Sequence, residues 1–85
     1  MDTKTDIKEY RTSDIHYAAY LRVAQVPFLR TSREEGRSFF IFEDNGDMKD
    51  LREGYFNRTA KVVARDFAEE IRAVKTIMHM DQDGR

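Results

Sequence analysis

Four consecutive apolar residues, Phe39-Phe40-Ile41-Phe42, constrain the fold of this 85-residue chain more than any other segment. They lie in a predicted strand over Arg37–Glu43, whose side chains alternate between two faces. Phe39 and Ile41 therefore point to one side, and Phe40 and Phe42 to the other. Only one of those faces can meet the main core. The other, joined by Tyr10 or a residue from Phe28 to Arg30, makes a patch of roughly several hundred Å², near the largest a soluble monomer exposes. Such a patch predicts a cover. Packing the last helix on it is the common way layers close. A symmetric dimer or a flat ligand stacking on the rings are the alternatives.

The segments around this strand predict the rest. Ile7 to Arg11 alternate weakly and read as a short first strand. Thr12-Ser13-Asp14 opens a helix, with the Ser13 hydroxyl as cap and an acid in the first turn. That helix runs from Asp14 to about Ala24, and Pro27 disfavours it at Val26. Its polar residues, Asp14, Arg22 and Gln25, share one narrow stripe, so most of its circumference is apolar and buried. Phe28–Arg33 is a second strand, joined to the next through Glu34-Glu35-Gly36, with Gly36 at positive φ. Asp44 is expected to cap a helix carrying Met48, Leu51, Tyr55 and Phe56 at core-facing spacing, with Asn57 ending it. Lys61-Val62-Val63 suggests a brief fourth strand. A last helix from Ala64 to about Met78 presents Phe67, Ile71, Val74 and Met78 on one face, with Glu69, Glu70, Arg72 and Lys75 mostly turned away.

The resulting order, β-α-β-β-α-(β)-α, predicts an α+β domain with an antiparallel sheet of three or four strands and three helices. It matches the ferredoxin-like, split βαβ order. One domain spans residues 7–80, with 1–6 and 81–85 as flexible termini.

Composition narrows the function classes. Fifteen basic and sixteen acidic residues give a formal charge of -1, without the basic excess that phosphate binding favours. Charges are evenly spread except from Arg58 to Arg65, where Arg58, Lys61 and Arg65 have no acid between them. Hydrophobic residues make up 40% of the chain, enough for a core. The absence of cysteine excludes disulfides, thiol catalysis and thiolate-held zinc. No apolar run approaches the roughly 18 residues of a membrane helix, and Met1 to Lys8 lacks the apolar stretch of a signal peptide. A cytoplasmic location without membrane contact follows by elimination.

Arg11-Thr12-Ser13-Asp14 before an Ala-containing helix, Phe40-Ile41-Phe42-Glu43-Asp44, Tyr55-Phe56-Asn57, and Val62 with Phe67, Ile71 and Lys75 form a set. In these the chain resembles a family of small bacterial and phage single-domain proteins of unknown function, over roughly residues 8–78. The resemblance implies a compact single domain and carries no activity.

The polar clusters read as structural. Ser13, Asp14 and His16 place a hydroxyl, a carboxylate and an imidazole together, yet Ser13 is predicted to be occupied as a cap. His16 is expected partly buried beside Tyr20. Glu43, Asp44 and Asp47 sit where acids meet the positive end of a helix dipole. Asp81-Gln82-Asp83-Gly84 opens like a calcium loop, but its distal ligands do not follow. His79 is expected at a frayed helix end. No catalytic residue, metal site or cofactor is assigned. Gly36-Arg37-Ser38-Phe39-Phe40-Ile41-Phe42 faintly resembles the third strand of RNA-recognition domains, although Phe40 and Ile41 depart from that pattern. The sequence therefore predicts a non-enzymatic protein-interaction module, binding a protein partner or a second copy of itself. The alternative is a weak single-stranded nucleic-acid binder using the sheet aromatics and nearby cations. The surface residues assigned are Tyr10, Arg30, Arg37, Phe40, Phe42, Arg58, Lys61 and Arg65.

Overall fold

The computed structural model describes residues 8–83. Its elements are β1 (Glu9–Thr12), α1 (Ile15–Val23), β2 (Phe28–Glu34), β3 (Arg37–Glu43), α2 (Met48–Phe56) and α3 (Ala64–Asp83). The three strands form an antiparallel sheet in the order β1-β3-β2. The strand apolar on both faces thus takes the centre. Because β1 and β2 are both antiparallel to β3, they run parallel to each other with β3 inserted between them, the split βαβ arrangement.

Among the described residues the sheet has three strands. Lys61, Val62 and Val63 lie in the exposed connection between α2 and α3 and pair with nothing in the sheet. Two adjacent valines carry no alternation, so a strand there would hold one on each face and bury neither side well. Ile7, expected to begin the first strand, falls outside the described residues.

Helix α1 begins one residue later than its composition suggests. Asp14 is the cap, accepting from the Tyr17 N–H at 3.0 Å, while Thr12 Oγ1 accepts from the Asp14 N–H at 3.1 Å. Ser13, the expected cap, is exposed and outside this pair. The helix ends before Pro27 can act. Gln25 adopts φ 67, its N–H donates to the Arg22 carbonyl, and the Val26 N–H donates to the Leu21 carbonyl. That is a Schellman ending, and Val26 is buried beside it. The cap of α2 also moves. Asp44 turns back on the Gly46 N–H and Asn45 on the Asp47 N–H, leaving Asp47 at the cap position without a side-chain cap bond. Helix α3 runs five residues beyond Met78, to Asp83. The stretch from Asp81 to Asp83 is therefore helical backbone rather than a loop that folds around an ion. His79 is an exposed residue within that helix.

All three helices pack on one face of the sheet. Five consecutive residues of α1, Tyr17 to Leu21, are buried, because the helix lies between the sheet and its two neighbours. Val26 after α1, Phe40 and Phe42 of β3, Met48 of α2 and Val74 of α3 complete the core, with Leu51, Tyr55, Phe67, Ile71 and Met78 among the residues packed against it. The polar stripe of α1 also has a partner in the fold. Arg22 Nε donates to Glu70 Oε1 of α3 at 2.6 Å, and the guanidinium lies 5.5 Å from the Phe28 ring centroid of β2. Tyr17 performs the same office on the other side, touching Tyr10 of β1 and both Tyr55 and Phe56 of α2. Helix α3 thus sits over the β2 side and α2 on the β1 side.

Candidate interaction surface

Among the described residues, the second face of the sheet carries no helix. Register places Glu9 and Arg11 of β1, Arg37, Phe39, Ile41 and Glu43 of β3, and Arg30, Ser32 and Glu34 of β2 on it. Helix α3, expected to cover this face, lies on the opposite one with α1. Two ion pairs that bridge the edge strands do the covering instead. Arg30 of β2 reaches over β3 to Glu9 of β1 (2.8 Å), and Arg11 of β1 reaches over it to Glu34 of β2 (2.6 Å). Arg11 and Arg30 flank Ile41 in register, and their aliphatic stems shield it. Ile41 is 4% exposed although it points outward. The Arg11 guanidinium lies 4.1 Å from the Phe39 ring centroid, a cation–π contact. The bond from Arg30 holds the Glu9 carboxyl below its ordinary range, and the bond from Arg11 does the same for Glu34. Three acids and three bases share the face, so it has no net charge. Beside it, a shallow cleft of ≈ 400 Å³ is lined by Glu34, Glu35, Arg37 and Phe39.

The outer edge of β1 is open: among the described residues no strand pairs with it. The backbone groups that face the opening follow from the register. The Asp44 N–H donates to the Lys8 carbonyl at 2.8 Å, so Lys8 and Asp44 are a hydrogen-bonded pair. Such pairs alternate along an antiparallel ladder. Tyr10 and Thr12 therefore bond to β3. Glu9 and Arg11 direct their N–H and C=O groups away from the sheet. In the split βαβ topology this is where a fourth strand would pair, and the described residues supply none.

Aromatic rings flank that edge on the helical side. The Tyr10 and Tyr17 hydroxyls are 3.2 Å apart, and the Phe56 ring centroid lies 5.3 Å from that of Tyr17. Burial and the Tyr10 hydroxyl push the Tyr17 phenol well above the usual tyrosine value, and burial raises that of Tyr55. Phe56 is different. It remains 53% exposed, with the Arg52 guanidinium 5.5 Å from its ring centroid.

A family model described as a domain of unknown function (DUF5659) matches residues 7–80. The chain belongs to that family. No curated protein and no solved structure matches it significantly. Membership in the DUF5659 family accords with a small domain spanning most of the chain and brings no activity with it.

The structure divides the residues assigned from sequence. Phe40 and Phe42 are 1% and 0% exposed and belong to the core, so neither is available to a partner. The alternation of β3 was read correctly, but the sequence did not say which face the helices take. Tyr10 also points inward, although it stands at the open edge. Arg30 and Arg37 are on the outer face, the first of them paired. Arg58, Lys61 and Arg65 lie apart from the sheet surface, around the α2–α3 connection, and Arg65 Nε donates to Glu69 one turn on. Glu9, Arg11 and Glu34 were missed. The signal available for them was opposite charge at alternate positions of two strands that share a neighbour.

Of the clusters weighed for chemistry, Asp14 caps α1 and Asp44 closes a turn. His16 is exposed rather than partly buried. No helix among the described residues is long and apolar enough to cross a membrane.

Proposed function

We propose that this domain is a non-enzymatic protein-interaction module that docks an extended segment of a protein partner on the open edge of β1. The observation that carries this reading is the regular row of backbone groups at Glu9 and Arg11, unpaired among the described residues and at the position of a fourth strand. Backbone hydrogen bonds at a sheet edge give affinity, and side chains alternating along the added strand give selectivity. The outer face supports a protein partner over nucleic acid. Its arginines Arg11 and Arg30 are already neutralised by Glu34 and Glu9. The central aromatic needed for stacking, Phe40, is buried. The cysteine-free composition fits a reducing, cytoplasmic setting.

Selection of linear peptides from a display library tests the reading. Glu9→Pro removes one outward N–H without breaking a backbone hydrogen bond of the sheet, a position where proline is tolerated, although it also removes the partner of Arg30. Glu9→Ala removes the same side chain and leaves the donor in place. Peptides that bind the parent and Glu9→Ala but not Glu9→Pro support an edge-docking module. A selection without binders, or binders indifferent to Glu9→Pro, contradicts it.

A further inference from the structure

We infer that the segment docking on β1 is the β1 strand of a second copy, paired antiparallel about a two-fold axis through Tyr10. This rests on β1 being the docking edge. The outward backbone groups belong to Glu9 and Arg11, so a symmetric pairing has three short registers. Glu9 opposite the second copy's Glu9 and Arg11 opposite the second copy's Arg11 each set like charges face to face, which destabilises a sheet. The remaining register sets Glu9 opposite the second copy's Arg11, and Arg11 opposite the second copy's Glu9. Both pairs are of unlike charge. Both are also of the type that exchanges two hydrogen bonds, so the register uses the outward N–H and C=O of both residues in each copy.

The existing ion pairs fit the same register without breaking. Glu9 and Arg11 lie on the outer face, each already joined across β3 to Arg30 or Glu34. Pairing the edges extends each row to Glu34, Arg11, the second copy's Glu9 and the second copy's Arg30, with the sign alternating throughout. On the helical side the two Tyr10 residues meet at the axis. Phe56, half exposed and one ring removed from Tyr10, gains an apolar neighbour there. The opposite edge is less regular. A register shift between Phe28 and Arg30 interrupts β2, and such bulges blunt an edge against pairing.

The test is the mass of the whole chain in solution, followed from micromolar to millimolar concentration. The parent is expected to rise to twice the single-chain mass. Glu9→Arg and Arg11→Glu each set like charges across the axis and are expected to stay monomeric where the parent is dimeric. Mixed in equal amounts, the two variants oppose only unlike charges and should recover the doubled mass. Circular dichroism confirms that each is folded. If one is not, Glu9→Pro takes its place and must abolish the doubling. A parent that keeps the single-chain mass throughout, or a doubling that survives in both charge variants, overturns the second copy as occupant. The two failures are separable. A monomeric parent that still selects peptides sensitive to Glu9→Pro leaves the docking edge standing with another protein as its partner, whereas indifferent peptides remove both.

Discussion

Arg30 and Glu9 meet 2.8 Å apart across the full width of the sheet, with β3 running beneath their contact. The pair joins the two edge strands, which share no backbone hydrogen bond, and lies over the row that contains Ile41. Arg11 and Glu34 repeat the device in the opposite sense over Phe39. The sheet thereby shields an apolar residue on a face that none of the described helices covers. Exposed pairs of this kind contribute little energy one at a time. Their structural effect is to hold the arginine stems in place.

Acid should expose that dependence. Glu9 and Glu34 have folded-state values depressed by their arginine bonds. Their stabilisation is therefore present above the unfolded carboxylate value, about 4.3, and is lost as pH falls through the lower folded value. The urea midpoint of the parent should drop over that window. It should drop less steeply when Glu9→Gln and Glu34→Gln are combined.

Alkali acts through the tyrosines. Tyr17 and Tyr55 are raised, so the unfolded chain loses their protons first. Stability should be level below the ordinary tyrosine value of about 10 and fall above it. Tyr17→Phe should make that fall shallower, as read from thermal melts at increasing pH.

The cap of α1 separates two neighbouring residues. Asp14→Ala removes the bond to the Tyr17 N–H and should cost about 1 kcal/mol. Ser13→Ala, at an exposed position without that role, should stay within roughly 0.5 kcal/mol of the parent. Urea denaturation of both variants checks the assignment.

Two helices end on a non-glycine residue in the left-handed region, Gln25 at φ 67 and Arg58 at φ 65. That conformation crowds a Cβ, and glycine removes the crowding. Gln25→Gly and Arg58→Gly should each raise stability, by about 0.5 kcal/mol once the larger entropy of the unfolded chain is counted. A lower melting temperature in either variant would show that its side chain holds contacts the ending needs.

Periodicity made much of the fold legible. Tyr17 to Leu21 read as a buried helix, Gly36 as a turn glycine, and Phe67, Ile71 and Val74 as a core stripe, because those patterns follow from local geometry. The helix boundaries were less legible, since Gln25 and Arg58 carry none of the glycine signal that usually marks such endings. Ser13 and Asp14 both belong to residue types that favour a cap, so local sequence does not choose between them. The surface was hardest to read. Phe40 and Phe42 alternate correctly with Phe39 and Ile41, but which pair faces the helices depends on the side to which the connections cross. The pairings of Glu9 with Arg30 and Arg11 with Glu34 depend on strand order, which no local pattern contains.

Amide hydrogen exchange at Glu9 and Arg11, followed as a function of protein concentration, tests the docking of a second copy on β1 most directly. In the single chain both N–H groups face the open edge, whereas those of Tyr10 and Thr12 bond to β3. Glu9 and Arg11 are expected to exchange freely in dilute protein and to become protected as concentration rises, while Tyr10 and Thr12 are protected throughout. Free exchange at Glu9 and Arg11 at every concentration would contradict it.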